Sequence, residues 1–396
     1  MAVTRANIYR AIVPELLVIN CAPLYEGNEA VCGIYIGAKT GGKRDGDGLN
    51  GTGISRPRTS EPISVYISRD GGVSYDLLHV LTTHVVTGRM NATDRQNGTV
   101  TGDFSGLLFD TRSGYELAHT MNNLGEAVIS WDTGFTPTSC TDARLYDGAN
   151  RCLIGDEVVA YKTVSAVSTR ATSGPGTTDL TSTSNTYFHS GFLRGLRGTE
   201  GHIQGASDNT RYWDLVVNID PEALVFVPLP LSDVGRTLLF KAATPGLDLS
   251  DAIAYELEVT GRTLKPFGVM QAWGVRDASN NLTISWYRRT RTPVRLMGAK
   301  GRPYGEDANT WKVEILSGAA PYTVLRTIDA TTESCTYTAA QHSTDGLTAG
   351  GAVNIKIYQW SEAVGWGLTN QMQIPANTGG TSTPTPNYKI PATLTD

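Results

Sequence analysis

No apolar run in the 396-residue chain reaches the length a helix needs to cross a bilayer, about 20 residues. Helical membrane insertion is therefore not expected. Charge is scarce as well: 18 % of residues are Asp, Glu, Lys or Arg, and the net charge is −5. No overall basic field draws the protein to nucleic acid or anionic lipid, so no sequence-specific nucleic-acid partner is expected. The local clusters Lys43-Arg44, Arg56 to Arg58 and Arg288-Arg-Thr-Arg291 read as solvated loops or strand ends.

Cysteine is sparse and unpatterned. Cys21, Cys32, Cys140, Cys152 and Cys335 form no Cys-x-x-Cys pair and are odd in number. That argues against a disulfide framework or zinc knuckle and for free thiols made in a reducing cytoplasm. The N-terminus, Met-Ala-Val-Thr-Arg-Ala-Asn-Ile-Tyr-Arg, has no apolar signal region, so Sec export is not expected. The six histidines are scattered without a His-x-x-x-His or His-Glu-x-x-His pattern, and no Gly-x-Ser-x-Gly elbow occurs. Metal, cofactor and nucleophile motifs are thus missing. No catalytic residue is assigned, and the chain reads as a non-enzyme.

What the chain has in plenty is glycine, 43 residues, with 18 prolines and abundant Thr, Ser, Val and Tyr. This composition predicts an all-β protein of many short strands joined by turns. Residues 1–18 read as an attachment segment. Strands are expected from Leu16 to Asn20 and from Gly33 to Ile36. Residues 38–62, rich in glycine and charge, read as a long loop. Ile63 to Ser68 predicts a strand, turned at Asp70-Gly-Gly and returned over Val73 to Leu78.

Ser68-Arg-Asp-Gly-Gly-Val-Ser-Tyr75 also fits the Asp-box pattern of sialidase propellers. One copy does not make a propeller, and Asp70 suits a residue that bonds its own turn. Residues 143–163 predict hairpins: Ala143 to Tyr146, a turn at Asp147 to Asn150, Cys152 to Ile154, a turn at Gly155-Asp-Glu, and Val158 to Tyr161. Asp156 and Glu157 would face opposite sides of a strand, which makes them a poor acid/base pair. The Ser/Thr/Gly stretch 164–186 reads as an exposed insertion.

Residues 192–201, Phe-Leu-Arg-Gly-Leu-Arg-Gly-Thr-Glu-Gly, place glycines at 195, 198 and 201 with Arg194, Arg197 and Glu200 between them. Glycine at every third position marks sharp turning. No Lys-Ser/Thr follows, and the dinucleotide order Gly-x-Gly-x-x-Gly is missing, so nucleotide binding is rejected. Further strands are predicted over Tyr212 to Ile219, Leu224 to Leu231, Val234 to Ala242 and Ala254 to Val259.

After Arg262-Thr-Leu-Lys-Pro266 the rhythm becomes that of a β-sandwich of about a hundred residues. Its expected strands are Val269 to Val275, Leu282 to Trp286, Trp311 to Ile315, Thr323 to Ile328, Cys335 to Thr338 and Val353 to Trp360, with Trp286 inward. Residues 377–396 are a Pro/Thr-rich tail whose composition cannot bury enough surface to fold alone.

The 192–201 run, with Gly148-Ala-Asn, Ile154-Gly-Asp-Glu-Val and Val227-Pro-Leu-Pro-Leu, resembles the tail protein domain of siphophages. The same domain lies near the C-terminus of the host-specificity protein of gene transfer agents. The resemblance covers roughly residues 16–262. The runs Ile284 to Arg291, Tyr337-Thr-Ala-Ala-Gln341 and Tyr358 to Gly367 resemble the fibronectin type III sandwich that ends that protein.

The resemblance implies four parts: 1–18 for attachment, a mixed β-barrel/sandwich tail-hub domain over 19–262, a fibronectin type III-like sandwich over 263–376, and the tail. It further implies a structural protein of a phage tail tip or baseplate, made in the bacterial cytoplasm and assembled into the virion, with hub proteins and fibres as partners. Hub proteins of this family are usually threefold, which implies a homotrimer; a host-surface receptor is a further candidate partner. Contact candidates are Trp360, Trp366, Arg288, Arg289 and Arg291, on or beside loops 291–309, 316–321 and 361–367. Arg194, Gly195, Arg197, Gly198 and Glu200 are assigned to a structural turn. Two other readings stay open: a polysaccharide-binding module stacking sugars on Trp360 and Trp366, and a cell-envelope glycan hydrolase.

Overall fold

Apolar residues at alternate positions put one face of each strand against a core and the other toward water. The computed structural model describes residues 14–25, 27–40, 62–90, 109–110, 117–118, 126–131, 135–166, 185–199, 215–269, 271–289, 291, 306, 308–319, 321–369 and 371–376. Among these residues the protein is nearly all β, with every strand pairing antiparallel. It divides into two compact units at Lys265/Pro266, the stretch 291–301 aside.

The strands of the first unit are β1 (Pro14–Ile19), β2 (Gly33–Thr40), β3 (Ile63–Ser68), β4 (Asp76–Leu81), β5 (Thr87–Met90), β6 (Phe109–Asp110), β7 (Leu117–Ala118) and β8 (Glu126–Trp131). A short helix, α1 (Asp142–Tyr146), precedes β9 (Arg151–Ile154), β10 (Glu157–Ala160), β11 (Thr163–Ala166), β12 (Thr186–Ser190), β13 (Leu193–Leu196), β14 (Leu215–Asn218), β15 (Val225–Pro228), β16 (Thr237–Ala243) and β17 (Ala254–Glu258). Their orders are β1-β2-β15, β11-β12-β8-β5-β14-β9-β10-β13 and β17-β16-β3-β4, with β6 and β7 forming a separate pair. The core collects Leu24, Tyr35, Leu153, Val158, Leu193, Leu196 and Leu224 in one cluster and Ile129, Trp131, Tyr161 and Phe192 in another.

Two local expectations are corrected here. Ala143 to Tyr146 is helical, because Thr141 caps the segment with its hydroxyl accepting from Arg144 N–H, a bond that favours a helix start. The strand after Ser68 begins only at Asp76 and runs to Leu81. Asp70 accounts for the delay: its carboxylate accepts from Ser68 Oγ, Ser74 Oγ and Ser74 N–H, so residues 68–74 close as a loop of their own. These bonds hold the Asp70 carboxyl well below the usual carboxylate range.

The second unit contains β18 (Gln271–Arg276), β19 (Leu282–Tyr287), β20 (Trp311–Leu316), β21 (Val324–Ala330), β22 (Ser334–Tyr337), helix α2 (Ala339–Thr344), β23 (Val353–Ser361), β24 (Gly365–Trp366) and β25 (Gln371–Ile374). One sheet runs β18-β19-β22 and the other β21-β20-β23-β24, with β25 also pairing β23. Leu282, Ile284, Trp286 and Tyr337 from the first meet Trp311, Val313, Ile355 and Ile357 from the second in one core. Trp286 and Trp311 touch edge to face with ring centroids 5.5 Å apart. Helix α2 is an element the composition did not announce; Thr338 and Gln341 form a full capping box at its start.

Candidate functional site

The surface of the β20–β23 sheet is the arrangement most suited to contact. Trp311, Val313, Ile355 and Ile357 point into the core, so Lys312, Glu314, Tyr358 and Trp360 lie on the opposite side. The register sets Lys312 beside Tyr358 and Trp360 beside Trp366. The two indoles meet edge to face, centroids 5.0 Å apart at 75°. The Lys312 ammonium lies 4.3 Å from the Tyr358 ring centroid and 5.1 Å from that of Trp366. It also pairs with Glu314 at 3.0 Å, and Glu314 Oε2 accepts from the Tyr358 hydroxyl at 3.0 Å. Burial and that bond push the Tyr358 phenol up to about 12.

Lysine, glutamate, tyrosine and two tryptophans thus form one locked cluster. Its carboxylate is engaged by Lys312 and by the Tyr358 hydroxyl. The arrangement offers a rigid aromatic surface, the kind that anchors partners.

The other contact candidates do not join it. Arg288 follows β19 on the other sheet and pairs with Glu333 at 3.9 Å. Arg289 is buried, its guanidinium 5.2 Å from the Phe267 ring centroid and bonded to the Gly268 carbonyl. It is thereby corrected from a displayed contact to a packing residue. Arg291 is half-buried.

The glycine-rich turn folds inward. Gly195, Arg197 and Gly198 have φ of 63°, 57° and 76°, the left-handed region that glycine tolerates and arginine rarely enters. Glu157, itself buried, accepts from Gly195 N–H at 2.9 Å. Thr199 Oγ1 donates to the Leu196 carbonyl and accepts from Val158 N–H. Arg197 is buried. Arg194 lies in β13, and Glu200 falls outside the described residues. The turn is therefore fastened to β10, and Glu157 is a structural acceptor.

Among the described residues no three His, Cys, Asp or Glu side chains gather as a metal site. His189 accepts from Trp131 Nε1 at 3.1 Å and contacts the Tyr187 carbonyl through Nδ1. Since an indole only donates, the His189 proton sits on Nδ1. A groove of about 370 Å³ is lined by Phe135, Asn150, Arg151, Tyr161 and Asp220 among others. Two of its polar side chains bond the chain itself: Asn150 donates to the Thr138 and Tyr161 carbonyls, and Asp220 accepts from Glu222 N–H. All five cysteines are free thiols, with Cys21, Cys32 and Cys152 buried. No described helix is long and apolar enough to cross a membrane.

Trp360 and Trp366, contact candidates from the sequence, fall in this cluster; Lys312, Glu314 and Tyr358 were not among the candidates. The signal was available, since these residues alternate with apolar ones on β20 and β23. No protein-family model matches the chain, and no curated protein matches it.

Proposed function

We propose that the chain is a structural part of the tail tip or baseplate of a phage or phage-like particle, one that attaches fibres and contributes to host attachment. The single observation behind this is the 193–199 turn, whose run carries the resemblance to siphophage tail domains. Its glycines and Arg197 form a closed, buried turn fastened to Glu157 and Val158. That suits a scaffold element and offers no open phosphate loop. The locked cluster of Lys312, Tyr358, Trp360 and Trp366 supplies a stiff surface for a neighbouring protein. Homotrimer assembly and a fibronectin type III relationship for the second unit belong to the same proposal.

Light scattering on the purified protein tests the assembly, the expected mass being three times that of the chain. Co-sedimentation with particles from cells that carry the gene tests the location. A monomer that never sediments with particles contradicts the reading. A second reading, a receptor- or polysaccharide-binding module, is favoured by the aromatic residues that the sandwich keeps at its surface.

A further inference from the structure

The sheet β18-β19-β22 has an outer face of different chemistry. Leu282, Ile284, Trp286 and Tyr337 are buried inward. A Cβ on Gly274 would lie 2.5 Å from Leu282 Cδ1, so position 274 faces inward too. Alternate positions face out. The register aligns Trp273, Ser285 and Ser334 in one row and Val275, Thr283 and Thr336 in the next. Four hydroxyls thus form a two-by-two grid, with neighbours in a row one strand spacing, about 4.8 Å, apart; Ser334 Oγ also lies 3.4 Å from Thr332 Oγ1. Beside it Trp273 and Tyr287 pair at 4.7 Å between centroids, 46° between planes, and Tyr287 is 49 % exposed.

No residue at 273–275, 283–287 or 334–336 carries a charge. Arg288 and Glu333, at the Tyr287 end, pair with each other at 3.9 Å. We propose that this face binds a neutral glycan, with Trp273 and Tyr287 against the C–H side of a pyranose ring and the Ser/Thr grid meeting its hydroxyls. Three features favour that occupant. An anionic sugar would need a cation among the rings and hydroxyls, and positions 273–275, 283–287 and 334–336 supply none. Protein interfaces are depleted in serine at their centres, whereas this face carries two serines and two threonines in its middle. Aromatic rings with polar neighbours suit a ligand that is apolar on its ring faces and polar at its rim. The inference does not rest on the particle assignment and would hold for a free protein.

Affinity gel electrophoresis of the full chain in dextran, mannan or galactan tests it, with alginate as the anionic control. At least one neutral polysaccharide should retard the protein. Tyr287→Ala and Trp273→Ala should each bind about tenfold more weakly, the scale of one aromatic contact, while Val73→Ala, at an exposed position of the first unit, should bind as wild type. Should Trp273→Ala fail to fold, the Tyr287→Ala variant and a Thr283→Ala/Thr336→Ala double variant decide. Retardation by none of the three, by alginate alone, or undiminished in the variants that fold would overturn the proposal.

Discussion

The two outer faces of the sandwich share one core and differ in how far each satisfies itself. On the β20–β23 face, Lys312, Glu314 and Tyr358 bond one another and hold Trp366 beneath an ammonium. On the β18–β19–β22 face, Thr283 and Tyr287 are exposed, and the hydroxyls stand in rows without a charge among them. The first face ties its charged groups to one another before any partner arrives. The second has fewer internal bonds among its outward side chains, one being Ser334 Oγ to Thr332 Oγ1, and it is the face on which the proposed glycan would rest. Aromatic content alone does not mark a binding face; what the neighbours of the rings are doing matters more.

The largest expected effect removes the common support. Trp311→Ala should cost about 3–5 kcal/mol, because the ring is fully buried against Trp286. Denaturant unfolding should show both faces lost in one transition. In the first unit, Thr199→Val should cost about 1–3 kcal/mol by leaving the buried Val158 N–H unpaired, without any effect on the sandwich faces. Lys312→Met should cost about 1 kcal/mol or less by removing its contacts with two rings and Glu314, and Trp366 fluorescence should shift.

The smallest expected effect is at Thr283→Ala, within about 0.5 kcal/mol, since an outward hydroxyl with no described partner supports nothing in the fold. Equal costs at Lys312 and Thr283 would erase the contrast between the faces.

Alkali separates the faces in a different way. The folded Tyr358 phenol ionises at about 12, above the usual value near 10. A raised folded value means its contribution is whole below about pH 10 and is lost as the pH climbs through about 12. Burial raises Tyr25, Tyr35, Tyr161 and Tyr337 too, so the late tyrosine step in absorbance at 295 nm should shrink in Tyr358→Phe by the amplitude of one residue. A late step of unchanged amplitude in Tyr358→Phe would show that the Tyr358 phenol is not held up.

Much of this architecture was legible in the residues. Alternation placed the sandwich strands within a few positions, and Trp286 was expected inward, where it is 1 % exposed. Asp70 was read as bonding its own turn, and it does. The misplacements have local causes. A single hydroxyl at Thr141 decides between helix and strand for five residues, a choice that β-rich surroundings hide. The Asp70 network delayed β4 by three residues because it recruited Ser74 as well as the glycines. At the surface, a cluster of arginines drew attention because charge is visible in sequence, yet Arg289 is spent on packing. The Trp273–Tyr287 pair was overlooked because its partners lie on three strands, and their register cannot be read from spacing. Residues 38–40 of the expected loop continue β2, and 164–166 of the expected insertion belong to β11; the rest of the expectations for 1–13, 41–61, 167–184 and the tail from 377 lie outside the described residues.

Immunogold electron microscopy with an antibody raised against residues 266–376 tests the central claim most directly. The account predicts gold at one end of the tail on particles released from cells that carry the gene, in every labelled particle. Gold absent from all particles, while the same antibody detects the protein free in the medium or in the cells, would contradict it.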